Sequence, residues 1–269
     1  MRNTAFTIGL ALLVTCGGRL TAGDVEPSDW FTGDTHVHRG ICCGREKATS
    51  MLTPEELRRM MEPNRLGVVS VLSDMGNGEC RDAGKDFPLV GRDHPASQPG
   101  RILHWDAEWH FDPKGVTFEQ KAIGGHLVAL GLKSGERIYR EYTHPIIEWA
   151  QQQGAVVGFL HMQYLKDDIP STLDCCAPLE YPVEVALTPG VFLVEDVKGS
   201  DNAMRAYYRL LNCGFRPGLA AGTDYPCCEK QLVPLGDLLT YVRIPDGKLT
   251  YRKWIDGIAA GRTVVSRNA

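Results

Sequence analysis

Two histidines separated by one residue, His36 and His38, lie in the stretch Gly33-Asp34-Thr35-His36-Val37-His38. On an extended strand, side chains two positions apart point to the same face. The two imidazoles can therefore converge on one point, where they would chelate a divalent cation such as zinc, manganese or iron. Further acids and imidazoles recur beside later strand-like runs: Asp74, Glu108, His126, His161, Glu195 and Asp224. Imidazoles and carboxylates gathered on a cation make a site that activates water for hydrolysis. No Gly-x-Ser-x-Gly elbow and no His-Glu-x-x-His helix is present, which disfavours those hydrolase classes.

The elements that must position these residues can be read in order. Thr53-Pro54-Glu55-Glu56 has the form of a capping box with proline in the first turn, so a helix is expected from Thr53 to about Met61. Residues 67–72 (GVVSVL) form an apolar β-branched run ending at Ser73-Asp74-Met75. Residues 76–100 are rich in Gly, Pro and Asp, long for a connection, and of the kind that serves as a lid or binding loop. Strands are expected at 102–107, delivering Glu108, and at 126–132, opening on His126. A helix at 142–153 leads to a strand at 155–160 that ends on His161. A short helix near 178–187 precedes a strand at 191–194 ending at Glu195. Ser200-Asp201-Asn202 caps a helix running to about Cys213, followed by the strand 218–222 and Asp224. A short strand at 241–244, a helix from Thr250 to Ala260 and a closing stretch at 261–265 complete the pattern.

Strands alternating with helices or long crossovers imply a mainly parallel sheet. Seven of them suit a closed or nearly closed α/β barrel, whose chemistry sits at the C-terminal strand ends. Of the site candidates, His36, His38, Asp74, Glu108, His161, Glu195 and Asp224 fall at such ends; His126 begins its strand.

The chain has 269 residues, 43% hydrophobic and 23% charged, with a net charge of −4. That profile suits a globular protein and lacks the basic surplus of a nucleic-acid binder. Met1-Arg2, an apolar run at 5–14 and Thr21-Ala22-Gly23 form a secretory signal pattern. Residues 1–23 are therefore expected to be a signal peptide and 24–269 the functional domain, periplasmic or secreted. The apolar run is too short for a membrane span. Leu13-Val14-Thr15-Cys16 resembles a lipobox, but its threonine is atypical, so simple secretion ranks above lipid anchoring at Cys16. Of nine cysteines, eight remain after Cys16: 42, 43, 80, 175, 176, 213, 227 and 228. An even number in an exported chain suggests disulfides, with on the order of a hundred possible connectivities.

His36-Val37-His38, Ser73-Asp74-Met75, Glu108, Gly125-His126-Leu127-Val128-Ala129-Leu130-Gly131-Leu132, His161 and Gly222-Thr223-Asp224 occur in an order that resembles the PHP superfamily (polymerase and histidinol phosphatase type). The Gly125–Leu132 stretch and Ala260-Gly261-Arg262-Thr263-Val264-Val265 look more like its carbaryl-hydrolase-related branch, CehA/McbA. The resemblance implies a distorted (β/α)7 barrel of PHP type with a metal site at the C-terminal strand ends. It implies a metal-bridging hydroxide that cleaves a phosphoester, ester or carbamate. Carried over position by position, one metal would take His36, His38, Glu108 and Asp224. A second would share Glu108 and take His126 and His161. His126 could instead be a strand-start histidine bonded to backbone.

The sequence departs from that family where a third metal would bind. Met75 and Pro226 stand where the family carries histidines, and Gly40, Cys42, Cys43 and Gly44 occupy the region of another. A two-metal site with Zn, Mn or Fe is therefore expected. Cys42, Cys43, Met75, Cys227 and Cys228 lie near the changed positions: either sulfur ligands replace imidazole there, or a disulfide braces that corner, which an oxidising compartment favours. Asp74, Arg39 and Lys198 are candidate catalytic residues, the two cations as holders of an anionic group on a small-molecule substrate. The alternative is an exported metal- or ligand-binding protein that has lost catalysis.

Overall fold

The structure, a computed structural model, describes residues 28–39, 52–74, 86–110, 125–136, 142–167, 178–196, 201–226 and 233–267. Within the strands, the side chains of Asp74, His110, Glu195 and Asp196 lie outside that description. So do Lys198, Met75 and every cysteine except Cys213, whose exposed thiol is free. No described helix is long and apolar enough to cross a membrane.

Among the described residues, nine strands form one sheet: β1 (Trp30–Val37), β2 (Val68–Asp74), β3 (Ile102–His110), β4 (His126–Leu130), β5 (Val156–Phe159), β6 (Phe192–Asp196), β7 (Gly218–Gly222), β8 (Leu238–Arg243) and β9 (Thr263–Arg267). The spatial order is β7-β6-β5-β4-β3-β2-β1-β8-β9. β1, β2 and β3 are parallel, as are β5, β6 and β7. β4 runs antiparallel to both neighbours, and β8 runs antiparallel to β1 and β9. The expectation of a mainly parallel sheet thus holds for six strands of the barrel and fails for β4. That reversal is useful: it brings the beginning of β4, with His126, to the mouth where the neighbouring strands end.

The sheet nearly closes between β7 and β1. Asp224 N–H donates to the His36 carbonyl at 2.9 Å, and His38 N–H to the Tyr225 carbonyl at 2.7 Å. Below them the Thr35 hydroxyl donates to the Ala221 carbonyl at 3.1 Å. Thr240 of β8 holds the same Ala221, accepting from its N–H at 2.7 Å and donating to its carbonyl at 2.9 Å. Hydroxyls here do the work of a strand ladder.

Among the described residues, five α-helices pack on this sheet: α1 (Pro54–Met61), α2 (Thr143–Gln152), α3 (Tyr181–Leu187), α4 (Asp201–Asn212) and α5 (Tyr251–Ala259). The Thr53–Glu56 capping box is present in α1, which buries Leu57 and Met61 on the outer face of β1–β3. α2, α3 and α4 cover the outer face of β4–β7. His144, in the first turn of α2, bonds Glu184 of α3 at 2.9 Å and so joins two helices rather than the metal candidates.

α5 goes elsewhere. Thr250 caps it, accepting from Lys253 N–H at 3.3 Å. Its buried stripe of Tyr251, Trp254, Ile255 and Ile258 packs with Val68, Leu72, Val128, Leu130, Leu160, Phe192 and Val194. The helix therefore fills the barrel from the end opposite the metal candidates. Trp254 lies so close to β1 that a β-carbon at Gly33 would strike its ring, and only glycine fits there.

Candidate metal centre

Gly33 faces the barrel interior, and strict alternation would turn His36 outward. The register prevents it: Gly33 pairs with Val68 and Asp34 with Val69, but Val37 pairs with Val71, so the strand carries an irregularity between Asp34 and Val37. A bulge of this kind re-aims the side chains that follow it. Val37 joins the outer core with Val69 and Val71, while His36 and His38 turn into the mouth. Two-residue spacing made the histidines neighbours; the bulge aimed them.

The two imidazoles meet two carboxylates from distant strands. His36 Nε2 lies 3.2 Å from His38 Nε2, 3.4 Å from Glu108 Oε2 and 3.3 Å from Asp224 Oδ1. His38 Nε2 lies 3.1 Å from Glu108 Oε2 and 3.3 Å from Asp224 Oδ1. Ligands tetrahedrally disposed on one cation with bonds of about 2.0–2.1 Å are about 3.3 Å apart. The separations match that spacing. Asp224 Oδ1 is buried and meets hydrogen-bond geometry with neither imidazole. Nitrogen and oxygen atoms crowded to this spacing need a positive charge between them, either a cation or a proton on an imidazole.

Glu108 turns its other oxygen to a second group. Oε1 lies 2.9 Å from His126 Nδ1 and 3.9 Å from His161 Nε2, and the rings of His126 and His161 meet edge-on at 4.7 Å. One carboxylate thus faces both halves of the cluster. Two ligating triads stand out among the described residues: His36, Glu108 and His161, and His36, His38 and Asp224. His126 belongs to neither triad and adjoins the second group through Glu108 Oε1.

Backbone strain marks the same site. His161 and Asp224 adopt left-handed conformations, with φ of 58° and 53°. Residues other than glycine occupy this region at a cost, and such costs cluster at functional sites. Burial alone would lower the His38 pKa, but Asp224 and Glu108 outweigh it and raise the imidazole to about 9. In the metal-free chain a proton on His38 supplies the positive charge between the acids.

The remaining candidates are placed less centrally. The backbone of Asp74 pairs in register with Glu108. Arg39 follows His38 and is held by Asp86, with Nε 3.2 Å from its Oδ1. The same oxygen accepts from Trp105 Nε1 at 3.3 Å.

Asp34 and Thr223, whose roles the sequence does not reveal, meet beside the ligands. Asp34 is fully buried, and its Oδ1 accepts from the N–H groups of His36 and Thr223, both at 3.1 Å. Its Oδ2 accepts from the Thr223 hydroxyl at 2.6 Å. Burial pushes the Asp34 carboxyl up to about 7, against the lowering effect of these bonds. Their adjacency to His36 and Asp224 was the signal available in the sequence.

A nearly closed α/β barrel with four imidazoles and two carboxylates at one mouth defines a class of candidate divalent-metal proteins. No family model matches the chain, and no curated protein does. Among solved structures it is similar to a two-domain protein from Bacteroides vulgatus ATCC 8482, described as containing a predicted PHP-like metal-dependent phosphoesterase. The likeness has a TM-score of 0.53 at 15% identity and covers 88% of this chain. The chain spans 65% of the length of that protein. At that identity the likeness concerns the fold, and it fits the distorted barrel.

Proposed function

We propose that the chain is an exported metal-dependent hydrolase that cleaves a phosphoester or an ester- or carbamate-type bond in a small molecule. One observation carries the reading: His36, His38, Glu108 and Asp224 bring donor atoms to separations of 3.1–3.4 Å inside the barrel mouth. These four would hold one divalent ion; His161, with Glu108 and His126, would hold a second. Such ions lower the pKa of water and offset the negative charge that builds on the substrate oxygen. The residues of the chain do the rest. Glu108 shares one carboxylate between both groups, and the buried walls limit access of bulk water. Arg39, steadied by Asp86, would attract an anionic substrate group, as would Lys198, and Asp74 is a further catalytic candidate. Assignment to the CehA/McbA branch and to an exported compartment rests on the sequence motifs, on the signal pattern and on the cysteine count.

The test is metal analysis of protein purified from its native compartment, followed by assays on aryl phosphate and aryl ester substrates with added Mn²⁺ or Zn²⁺. Bound metal with metal-dependent turnover supports the reading. Absence of metal uptake overturns it, and stoichiometric metal without turnover on either substrate class replaces it with a binding protein.

A further inference from the structure

Apart from Glu108 of β3, the ligands of the first group come from two places that no local sequence joins: the end of β1 and the turn after β7. Something must hold those two segments at a fixed separation, because a cation tolerates little error in ligand spacing. Backbone bonds contribute, from Asp224 N–H to the His36 carbonyl and from His38 N–H to the Tyr225 carbonyl. Both leave the carboxylate and imidazole ends free to drift about their own side-chain torsions and the bulged backbone.

We propose that Asp34 is the positioning residue of this centre: its carboxylate ties the β1 bulge to the turn after β7 and thereby sets the gap between the His36–His38 pair and Asp224. The inference rests on reading the cluster as a metal site. Its geometry is specific. One oxygen, Oδ1, accepts from both His36 N–H and Thr223 N–H at 3.1 Å, so a ligand and the residue before another ligand share a single acceptor. The second oxygen takes the Thr223 hydroxyl at 2.6 Å, which fixes the carboxylate plane. The irregular β1 register begins at Asp34, so the clamp also holds the bulge that turns His36 inward. It steadies the residue directly before Asp224, whose φ of 53° is otherwise costly. Asp34 has no exposed surface, so water cannot substitute for these partners without a rearrangement. It touches no cation or substrate and acts only through its neighbours.

The experiment is Co²⁺ titration of the metal-free full chain, reading the dissociation constant by calorimetry and the ligand-field absorption bands of the bound ion. Asp34→Ala is expected to weaken Co²⁺ binding roughly 10- to 100-fold, the range for losing a residue that orients ligands, and to shift the bands. Asp34→Asn, which keeps one carbonyl-type acceptor, should fall between it and wild type, and it carries the test if the alanine variant does not fold. Thr223→Val should weaken binding in the same direction, and Thr223→Ser should restore it. Tyr251→Phe, which disturbs the barrel at a distance from these turns, controls for general destabilisation and should leave affinity and bands unchanged. Wild-type affinity and bands in both Asp34 variants would overturn the proposal. So would an equal loss of affinity in Tyr251→Phe at equal loss of melting temperature. A wild-type chain that takes up no Co²⁺ overturns the metal reading itself, and this inference with it.

Discussion

Two layers of buried polar groups lie inside the barrel along β3, and they are built in opposite ways. In the lower layer Asp106 accepts from Gly131 N–H at 2.6 Å and from the Tyr251 hydroxyl, and that hydroxyl also meets Ser70 Oγ at 2.8 Å. His104 stacks on Tyr251 at 3.7 Å and bonds Asp93 at 2.7 Å. Donors surround the acid there. Two residues further along β3, Glu108 faces imidazole nitrogens and, through them, the second carboxylate Asp224. Burial raises the pKa of Asp106 and that of Tyr251, and their shared hydrogen bonds meet the cost of burial. The upper layer gathers acceptors, and a proton on His38 or a cation must meet it instead. A buried carboxylate reads as structural where N–H and O–H groups converge on it, and as a ligand where other lone pairs do.

The comparison can be broken at the top layer first. Glu108→Gln should reduce divalent-metal affinity by more than the roughly 10- to 100-fold typical of an outer-shell loss, because it removes the carboxylate facing both groups. Equal dissociation constants for variant and wild type, measured by calorimetry, would break the contrast. Tyr251→Phe probes the lower layer: leaving Asp106 short of a donor should cost about 1–3 kcal/mol of unfolding free energy. Denaturant unfolding checks the stability, and an unchanged metal affinity is expected beside it.

Acidity separates the layers next. Asp34, pushed to about 7 from 3.8, and His38, raised to about 9 from 6.5, bind protons more tightly folded than unfolded. Their stabilisation of the metal-free chain is complete below the unfolded values and is lost as pH rises, through about 7 for Asp34 and about 9 for His38. A cation must displace the His38 proton, so its affinity should rise about tenfold per pH unit below that value. The gap in melting temperature between metal-loaded and metal-free protein should therefore widen from pH 6 to pH 8, roughly the span in which such protons are exchanged. A constant gap would contradict the assignment of His38 as a ligand. The smallest effect belongs to Asp93, which is half exposed beside His104. Asp93→Asn should change stability by about 1 kcal/mol or less and leave metal affinity alone.

Much of the molecule was legible from local signals. The capping box of Thr53 and Glu56 starts α1, and GLAAG is β7 from first residue to last. Glu108 and Asp224 were readable as acids delivered by strand-like runs, although β3 continues past Glu108 to His110. His126 was found through its motif and its place at a strand start, although nothing local reveals that β4 runs backwards. Asp34 and Thr223 stood beside ligands, yet their meeting spans most of the chain. The amphipathic stripe of α5 showed that it must be buried, not that it would enter the barrel.

The sequence alone determined which residues carry imidazole and carboxylate, where helices begin and which runs are apolar. These depend on side-chain chemistry and on contacts within a few residues. The direction of β4, the bulge that turns His36 inward and the Asp34 clamp were decided only in three dimensions. Strand pairing and register are set by partners distant in the chain, and donor atoms acquire a common centre only when those partners are in place.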